Sequence, residues 1–181
     1  MKALSLALLL LSFGAAAAEV EGVKLEDKTQ VEGRELVLNG AGLRKRFVFK
    51  VYVIGLYVPQ KGSIDAPGPK RVAIHMLRNV GAEQFTEALV EGLRANQSEA
   101  EFRKLEPRVK ELSDVMAQVG EAKKGMALAL DWTGSETRLL VDGKPAGKPI
   151  AGEDFYRALL RIWLGEHPVQ DDLKRALLGS G

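Results

Sequence analysis

Arg44 is the first residue whose type and position could do chemistry. It follows a glycine-rich stretch, residues 39–43 (Asn-Gly-Ala-Gly-Leu), and precedes the strongest strand pattern in the chain. Glycine lets a backbone approach a ligand closely, and an arginine beside it can clamp an anion. The pattern therefore indicates an anion site at Arg44. The alternative is a tight turn between two strands with a solvated arginine, because glycine is ordinary in turns.

A second candidate is the segment of residues 47–58, which is dense in aromatic and β-branched side chains and carries one charge, Lys50. Such a run predicts a strand that is buried on both faces for part of its length. Tyr52 and Tyr57 could present hydroxyl groups to an apolar pocket. We interpret most of the segment as the central core strand, with one face that meets a cavity.

A third candidate is the segment of residues 165–168 (Gly-Glu-His-Pro), where a carboxylate stands next to an imidazole. Enzymes use this combination for acid–base catalysis. We interpret the segment instead as the end of a helix, with Gly165 as a left-handed cap and Pro168 as the stop. Neither Glu166 nor His167 has a partner in the sequence that would tune its pKa for proton transfer.

Several other kinds of site are excluded or not expected. The chain has no cysteine, which excludes thiol chemistry, and its two histidines, His75 and His167, lie far apart. We therefore predict no metal site and no cofactor. Neither a Gly-x-Ser-x-Gly nor a phosphate-loop motif is present. The net charge is +2 and the chain has no block of basic residues, so we expect no nucleic-acid partner.

The pattern of elements predicts the fold that must position these residues. Ser98 and Glu101 form a capping-box pattern at the start of the second predicted helix, and Pro107 should kink that helix or separate its first turn. Strands grouped at both ends around a helical middle predict an α+β fold, in which a layer of helices covers one face of an antiparallel β-sheet. The predicted strands are residues 22–25, 35–38, 47–58, 71–77, 126–132, 137–141 and 144–150, and the predicted helices begin near residues 85, 98, 153 and 171.

The N-terminus has the pattern of a secretory signal peptide. Lys2 precedes an uncharged, leucine-rich run that ends in Ala16-Ala17-Ala18. The run is shorter than the roughly 20 apolar residues that a membrane-spanning helix needs, although a retained anchor is the alternative. We predict cleavage after Ala18, one domain over residues 19–181, a periplasmic or secreted location and no stable membrane anchor after cleavage.

Three segments together resemble the chalcone isomerase family, specifically its bacterial chalcone isomerase-like branch. Residues 38–44 resemble the glycine-rich turn and arginine of the family, and residues 53–58 resemble the strand that follows. Residues 162–175 resemble its C-terminal pair of helices. The resemblance implies an open-faced sandwich, which agrees with the α+β fold predicted from the pattern of elements.

The resemblance also implies positions for the catalytic groups of the plant enzymes, which close a chalcone into a flavanone. The arginine that steadies the nucleophile falls on Arg44, and a ketone-polarising threonine falls on Tyr52, which keeps a hydroxyl. The tyrosine that assists it falls on Phe85, and the substrate-holding asparagine falls near Gly92. The last hydroxyl residue falls on Ile162. Three polar groups are therefore replaced by apolar or absent side chains, while the arginine is kept.

We interpret the chain as an exported, non-catalytic member of this family that binds a small amphipathic anion. Fatty-acid-binding relatives of the same fold pair an arginine with a carboxylate, and the resemblance places such a ligand at Arg44, Tyr52, Phe85 and Ile162, in a cleft between sheet and helices. One alternative is an intramolecular lyase with a rearranged site that uses Arg44 and Tyr52. Another is a structural or partner-binding periplasmic protein. The sequence makes no prediction of the oligomeric state.

Overall fold

The computed structural model describes residues 18–180, so the predicted signal peptide lies outside the described residues except for Ala18. Eleven strands and four helices occur in this part of the chain. The elements are β1 (Ala18–Val20), β2 (Val23–Leu25), β3 (Lys28–Val31), β4 (Arg34–Arg46), β5 (Phe49–Val58), β6 (Lys70–Met76), β7 (Val80–Gly81), α1 (Ala82–Ala95), α2 (Glu99–Val119), β8 (Glu121–Ala122), β9 (Ala127–Trp132), β10 (Glu136–Val141), β11 (Lys144–Ala151), α3 (Glu153–Leu164) and α4 (Asp171–Leu177).

Seven of these strands form one antiparallel sheet in the order β11-β10-β9-β6-β5-β4-β3. In β6, every second residue from Lys70 to Met76 is buried, which is the period of a strand with one face against a core. The main hydrophobic cluster joins that face of the sheet to all four helices. The predicted α+β fold, with helices covering one face of an antiparallel sheet, is confirmed.

The opposite face of the sheet is only partly covered. A smaller cluster of Val31, Leu36 and Tyr57 lies there, and the β1–β2 hairpin reaches β4 on this face. A Cβ atom at Gly55 would lie 3.2 Å from Leu25 Cδ1, so the hairpin packs closely against β5. Among the described residues, no helix has both the length and the hydrophobicity of a membrane span.

The glycine-rich segment of residues 39–43 is not a turn, and this prediction was wrong. It lies inside β4, which pairs with β5 along most of its length. A Cβ atom at Gly40 would lie 2.1 Å from the Ala176 carbonyl oxygen, and one at Gly42 would lie 2.7 Å from Leu173 Cδ1. The two glycines therefore let α4 cross the strand at close range, and the close approach predicted from them is made by this helix.

The strand predicted from residue 47 begins two residues later, at Phe49. Phe47 and Val48 form the two-residue turn between β4 and β5, and Phe47 has a left-handed backbone with φ of 54°. The β-propensity of these side chains was misleading because the chain reverses at this point. Both side chains are fully exposed to solvent instead of buried in the core.

Two helix signals behave differently from one another. The capping box of Ser98 and Glu101 is confirmed at the start of α2, which continues through Pro107 without a separate first turn. Gly165 does end α3, but its φ of −70° is not left-handed, so the predicted cap type was wrong. The carboxamide of Asn96 lies against Gly165. Its Nδ2 donates to the His167 carbonyl at 2.8 Å, and its Oδ1 accepts from the His167 amide at 3.0 Å.

Candidate functional site

Arg44 and Tyr52 are direct cross-strand neighbours on β4 and β5. Side chains at paired positions of an antiparallel ladder lie on the same face of the sheet. The register shifts immediately after this pair, between Arg44 and Lys45, and such a bulge re-aims the side chains beside it. The two residues that the sequence proposed as an anion anchor and a hydroxyl partner are therefore brought together.

The guanidinium of Arg44 is fixed by one of its three nitrogens. Nη1 donates to the carbonyl oxygens of Lys45 at 2.6 Å and Val169 at 3.1 Å, and to Gln170 Oε1 at 3.4 Å. Among residues 18–180, Nε and Nη2 bond no carbonyl or carboxylate group, and the guanidinium has the Tyr52 hydroxyl as its other polar neighbour. These two nitrogens form one edge of the guanidinium fork, the edge that a carboxylate binds with two parallel hydrogen bonds.

Gln170 braces the strand on both sides of Arg44. Its Oε1 accepts from the Lys45 amide at 2.8 Å, and its Nε2 donates to the Leu43 carbonyl at 3.0 Å. The segment before α4 is thereby tied to β4 by hydrogen bonds at consecutive positions. Sequence reasoning missed this role, although Gln170 lies inside the C-terminal segment, residues 162–175, that carried the family resemblance.

Tyr52 reaches α3 through its hydroxyl, which accepts a hydrogen bond of 2.9 Å from Trp163 Nε1. Burial raises the pKa of Tyr52, and the Trp163 bond and the neighbouring Arg44 only partly offset that effect. The phenol is therefore protonated at neutral pH. Since both polar neighbours are donors, the phenolic proton has no acceptor within the described part of the chain.

The helix side of the site is apolar. Ile162 on α3 is buried, with 5% of its surface exposed, and a Cβ atom at Gly92 on α1 would lie 2.9 Å from Ile162 Cγ2. Phe85 lies two turns before Gly92 on α1 and packs against the same core. Ile162 therefore packs directly against Gly92 and leaves no room for a side chain at position 92. No hydroxyl or amide group is present at these three positions.

Trp163 is a site residue that sequence reasoning missed. It is buried in the main cluster. Its indole nitrogen also holds the Tyr52 hydroxyl, and this contact joins residues 111 positions apart. A buried tryptophan needs a hydrogen-bond acceptor for its N–H, and this requirement was the available signal.

A separate cavity lies elsewhere. It has a volume of about 820 Å³ and is lined by residues of the α3 surface and by Lys70, Trp132 and His167, but not by Arg44, Tyr52, Phe85 or Ile162. Two of its cations already have partners, since Arg157 pairs with Glu153 at 2.6 Å and Lys70 Nζ donates to the Ala66 carbonyl at 2.6 Å. Burial lowers the pKa of Lys70. These features suit an anion less well than the open edge of Arg44.

The acid–base pair weighed at residues 166 and 167 does not form a site. Glu166 and His167 are both exposed, and Asn96 bonds the backbone of His167 and not its imidazole. Within the described residues, no group of three His, Cys, Asp or Glu side chains is arranged to hold a metal ion.

Comparison with known proteins places these features in context. A family model described as chalcone isomerase-like matches residues 17–179 of the chain. Among solved structures, the chain is similar to a fatty-acid binding protein of Arabidopsis thaliana, with a TM-score of 0.69 at 11% sequence identity. That match covers 90% of this chain and 96% of the other. At this identity the likeness concerns the fold. No curated protein sequence matches the chain.

Proposed function

The chain belongs to the chalcone isomerase-like family, and from that premise we propose that it binds a small amphipathic anion, a fatty-acid-like carboxylate, without catalysing a reaction on it. The observation that carries the proposal is that Nε and Nη2 of Arg44 bond no carbonyl or carboxylate among the described residues and lie beside Tyr52, whose phenolic proton has no acceptor there. A carboxylate would receive two charge-assisted hydrogen bonds from Arg44 and one from Tyr52. The alkyl chain would lie between sheet and helices, against Phe85 and Ile162.

The apolar wall supports binding over catalysis. Flavanone formation needs a positioned group that polarises a ketone, and electrostatic groups of this kind contribute 10²–10³-fold each in rate. Phe85, Gly92 and Ile162 provide none. Tyr52 is half-buried and its pKa is raised, so its phenol stays protonated, which makes it a donor to a carboxylate and a poor base. The name of the Arabidopsis thaliana neighbour, a fatty-acid binding protein, is consistent with this ligand class.

The second candidate function is an intramolecular lyase with a rearranged site. The contact between Arg44 and the Tyr52 hydroxyl favours it, because an arginine and a hydroxyl are the two groups that the chain retains. Incubation of the purified protein with a hydroxychalcone, followed by absorbance, separates the two functions. We expect no conversion above the spontaneous rate, and stereospecific conversion well above it would replace binding with catalysis.

Titration calorimetry with a long-chain carboxylate, below its micelle concentration, tests the binding proposal. Arg44→Ala should weaken binding by about 2–5 kcal/mol, the range for removing one partner of a buried charged pair. Arg44→Lys should recover only part of the affinity, because an ammonium cannot present two parallel donors. Urea unfolding of each variant verifies that the domain remains folded.

Two variants serve as matched controls. Arg46→Ala removes an exposed cation two residues along the same strand, and Arg157→Ala removes a cation of the 820 Å³ cavity. Both should bind like the wild type. Equal affinity of the wild type and Arg44→Ala would exclude the Arg44 site, and a loss confined to Arg157→Ala would move the ligand to the cavity.

We propose further that the protein acts outside the cytoplasm, in the periplasm or as a secreted protein. The support is the sequence pattern that ends at Ala18; placement in the bacterial branch of the family stays a prediction. N-terminal sequencing of the protein purified from its host should find Glu19 first. A protein that retains Met1 in the membrane fraction would contradict the prediction.

A further inference from the structure

The tip of the β4–β5 hairpin exposes three consecutive large hydrophobic side chains. Phe47 is 88% exposed, Val48 is 87% exposed and Phe49 is 54% exposed. They lie at the turn and the first residue of β5, beyond the part of the sheet that the helices cover. Single exposed hydrophobic residues are common on proteins, but a contiguous exposed group marks an interaction site.

The backbone conformation at the tip indicates that Phe47 and Val48 are not there to stabilise the fold. Phe47 has a left-handed φ of 54°, which bulky residues rarely adopt. The first residue of each of the other three left-handed hairpin turns is polar, and a glycine follows it. Those residues are Glu21, Glu32 and Asp142. Only the β4–β5 turn combines strain with two solvent-exposed apolar side chains, within the described part of the chain.

Cations surround the apolar tip. Residues 44–50 read Arg-Lys-Arg-Phe-Val-Phe-Lys and contain no acidic side chain. Arg78 comes from the loop after β6 and places its guanidinium 4.6 Å from the Phe49 ring centroid. Lys50 is paired with Glu21, and Lys45 has Asp172 as a charged neighbour, whereas Arg46 and Arg78 form no ion pair among residues 18–180. The tip therefore combines exposed hydrophobic groups with an excess of positive charge.

We propose that this tip docks on a lipid bilayer that carries anionic headgroups, with Phe47 and Val48 inserted among the acyl chains. A narrow two-residue turn can enter a bilayer interface, and the cations behind it would lie at the level of the phosphates. Interfacial binding combines buried apolar area with attraction to anionic lipids, and each Lys or Arg near the surface adds to it. This docking does not depend on the proposed ligand site.

Vesicle co-sedimentation tests the docking surface. The experiment uses the protein as it is purified from its host. Wild type should sediment with phosphatidylcholine vesicles that contain phosphatidylglycerol, and much less with phosphatidylcholine alone. The binding should weaken at high salt. The double variant Phe47→Asn, Val48→Ser should bind the anionic vesicles at least about tenfold more weakly than the wild type, since it removes the inserted apolar area. Its melting temperature should rise, because asparagine tolerates the left-handed backbone.

Charge variants separate the electrostatic contribution. Arg46→Glu should reduce binding to anionic vesicles at low salt, whereas Lys148→Glu, on the exposed edge strand β11, should bind like the wild type. All variants share one N-terminus, so any contribution of residues before 18 is the same in each. Equal binding to neutral and anionic vesicles, equal binding by wild type and tip variants, or sedimentation without vesicles through self-association would each overturn the proposal.

Discussion

Tyr52 stands between two hydrogen-bond donors, the indole N–H of Trp163 and the guanidinium of Arg44. A hydroxyl in this position has used its acceptor capacity and retains its proton. Burial raises its pKa, so that the proton stays in place at neutral pH. A phenolate would be a stronger partner for Arg44, but it would also compete with an anionic ligand. The neutral phenol therefore leaves the positive charge of Arg44 available.

Tyr52→Phe tests this arrangement. The variant should lose about 1.5–3 kcal/mol of carboxylate affinity, the value of a hydrogen bond to a charged group. It should also lose about 1–3 kcal/mol of folding free energy, because the buried Trp163 N–H is left without an acceptor. Calorimetry and urea unfolding measure the two losses. Tyr57→Phe is the control, since Tyr57 is on the same strand but its hydroxyl bonds the Glu26 carbonyl on the opposite face.

The two losses can be separated with Trp163→Phe. In that background, Tyr52→Phe should lose less stability than in the wild type, because no indole N–H remains to be stranded. The loss of ligand affinity should be similar in both backgrounds, since the ligand contact belongs to the Tyr52 proton. Equal stability losses in the two backgrounds would show that the Trp163 bond contributes nothing to folding.

At the scale of elements, the close contact of α4 with β4, here called the seat of α4, positions Arg44, the proposed anion anchor. Asn39 falls at a register shift of β4, where its side chain donates to the Leu177 carbonyl at 2.6 Å and accepts from the Gly62 amide at 2.8 Å. Gly40 and Gly42 then allow the helix to approach the strand. The residues immediately before α4, Val169 and Gln170, hold Arg44, so a change at the seat should reach the site.

Glycine-to-alanine substitutions along β4 should give a graded series. Gly40→Ala should destabilise the fold by about 1–3 kcal/mol, because its Cβ would lie 2.1 Å from a backbone oxygen that cannot move without α4. Gly42→Ala should be milder, since its nearest neighbour is the end of the Leu173 side chain. Urea unfolding measures both. Gly40→Ala should also weaken carboxylate binding through the displaced segment around Val169 and Gln170.

The control for this series is Gly81→Ala, at a glycine with ordinary φ of −67° and no atom within 4 Å of the added Cβ. Its effect should stay below about 1 kcal/mol, the size of a helix-capping preference. If Gly40→Ala were as mild as Gly81→Ala, the close seat of α4 would not be the reason for glycine at position 40.

Local patterns predicted most elements but not the path of β4. The strand at residues 71–77, the helix that begins near residue 153 and the capping box of α2 each depend on neighbours in sequence, and each was predicted. The strand that contains Gly40 depends on Ala176 and Leu177, which are more than 130 positions away. Without that contact, two glycines in four residues are typical of a turn.

The same distinction applies to the site. Arg44 and Tyr52 were found because their types and local context suit an anion and a pocket. Trp163 and Gln170 were missed because their roles are hydrogen bonds across the fold, at separations of 111 and 125 positions. The exposure of Phe47 and Val48 was missed for a different reason. Their β-propensity matched the strand that follows, and only the chain reversal places them in solvent.

On the scale of the whole molecule, one hairpin carries both proposed functions. Arg44 precedes Phe47 by three residues, which corresponds to about 10 Å along a strand. A protein docked by its tip would therefore hold the open edge of Arg44 close to the headgroup level of the bilayer. The carboxylate of a membrane-dissolved fatty acid also lies at that level, with its alkyl chain below. Docking would thus shorten the path that such a ligand takes into the cleft.

Transfer kinetics test this coupling. A fluorescent long-chain carboxylate should move between protein and anionic vesicles at a rate that rises with vesicle concentration, because transfer occurs during docking. The double variant Phe47→Asn, Val48→Ser should keep its equilibrium affinity for the carboxylate, since Arg44 and Tyr52 are unchanged. Its transfer rate should fall about tenfold, in parallel with its weaker docking.

The matched variant in this comparison is Arg44→Ala, which should show the reverse pattern. It should dock on vesicles at most about fivefold more weakly than the wild type, because the apolar tip is intact and one cation near the headgroups is lost, and it should fail to hold the carboxylate at equilibrium. Transfer through free diffusion would instead give a rate that does not depend on vesicle concentration and that is equal in wild type and tip variant. That result would leave the tip and the anion anchor as separate features, because a shared hairpin matters kinetically only when docking limits the rate of transfer.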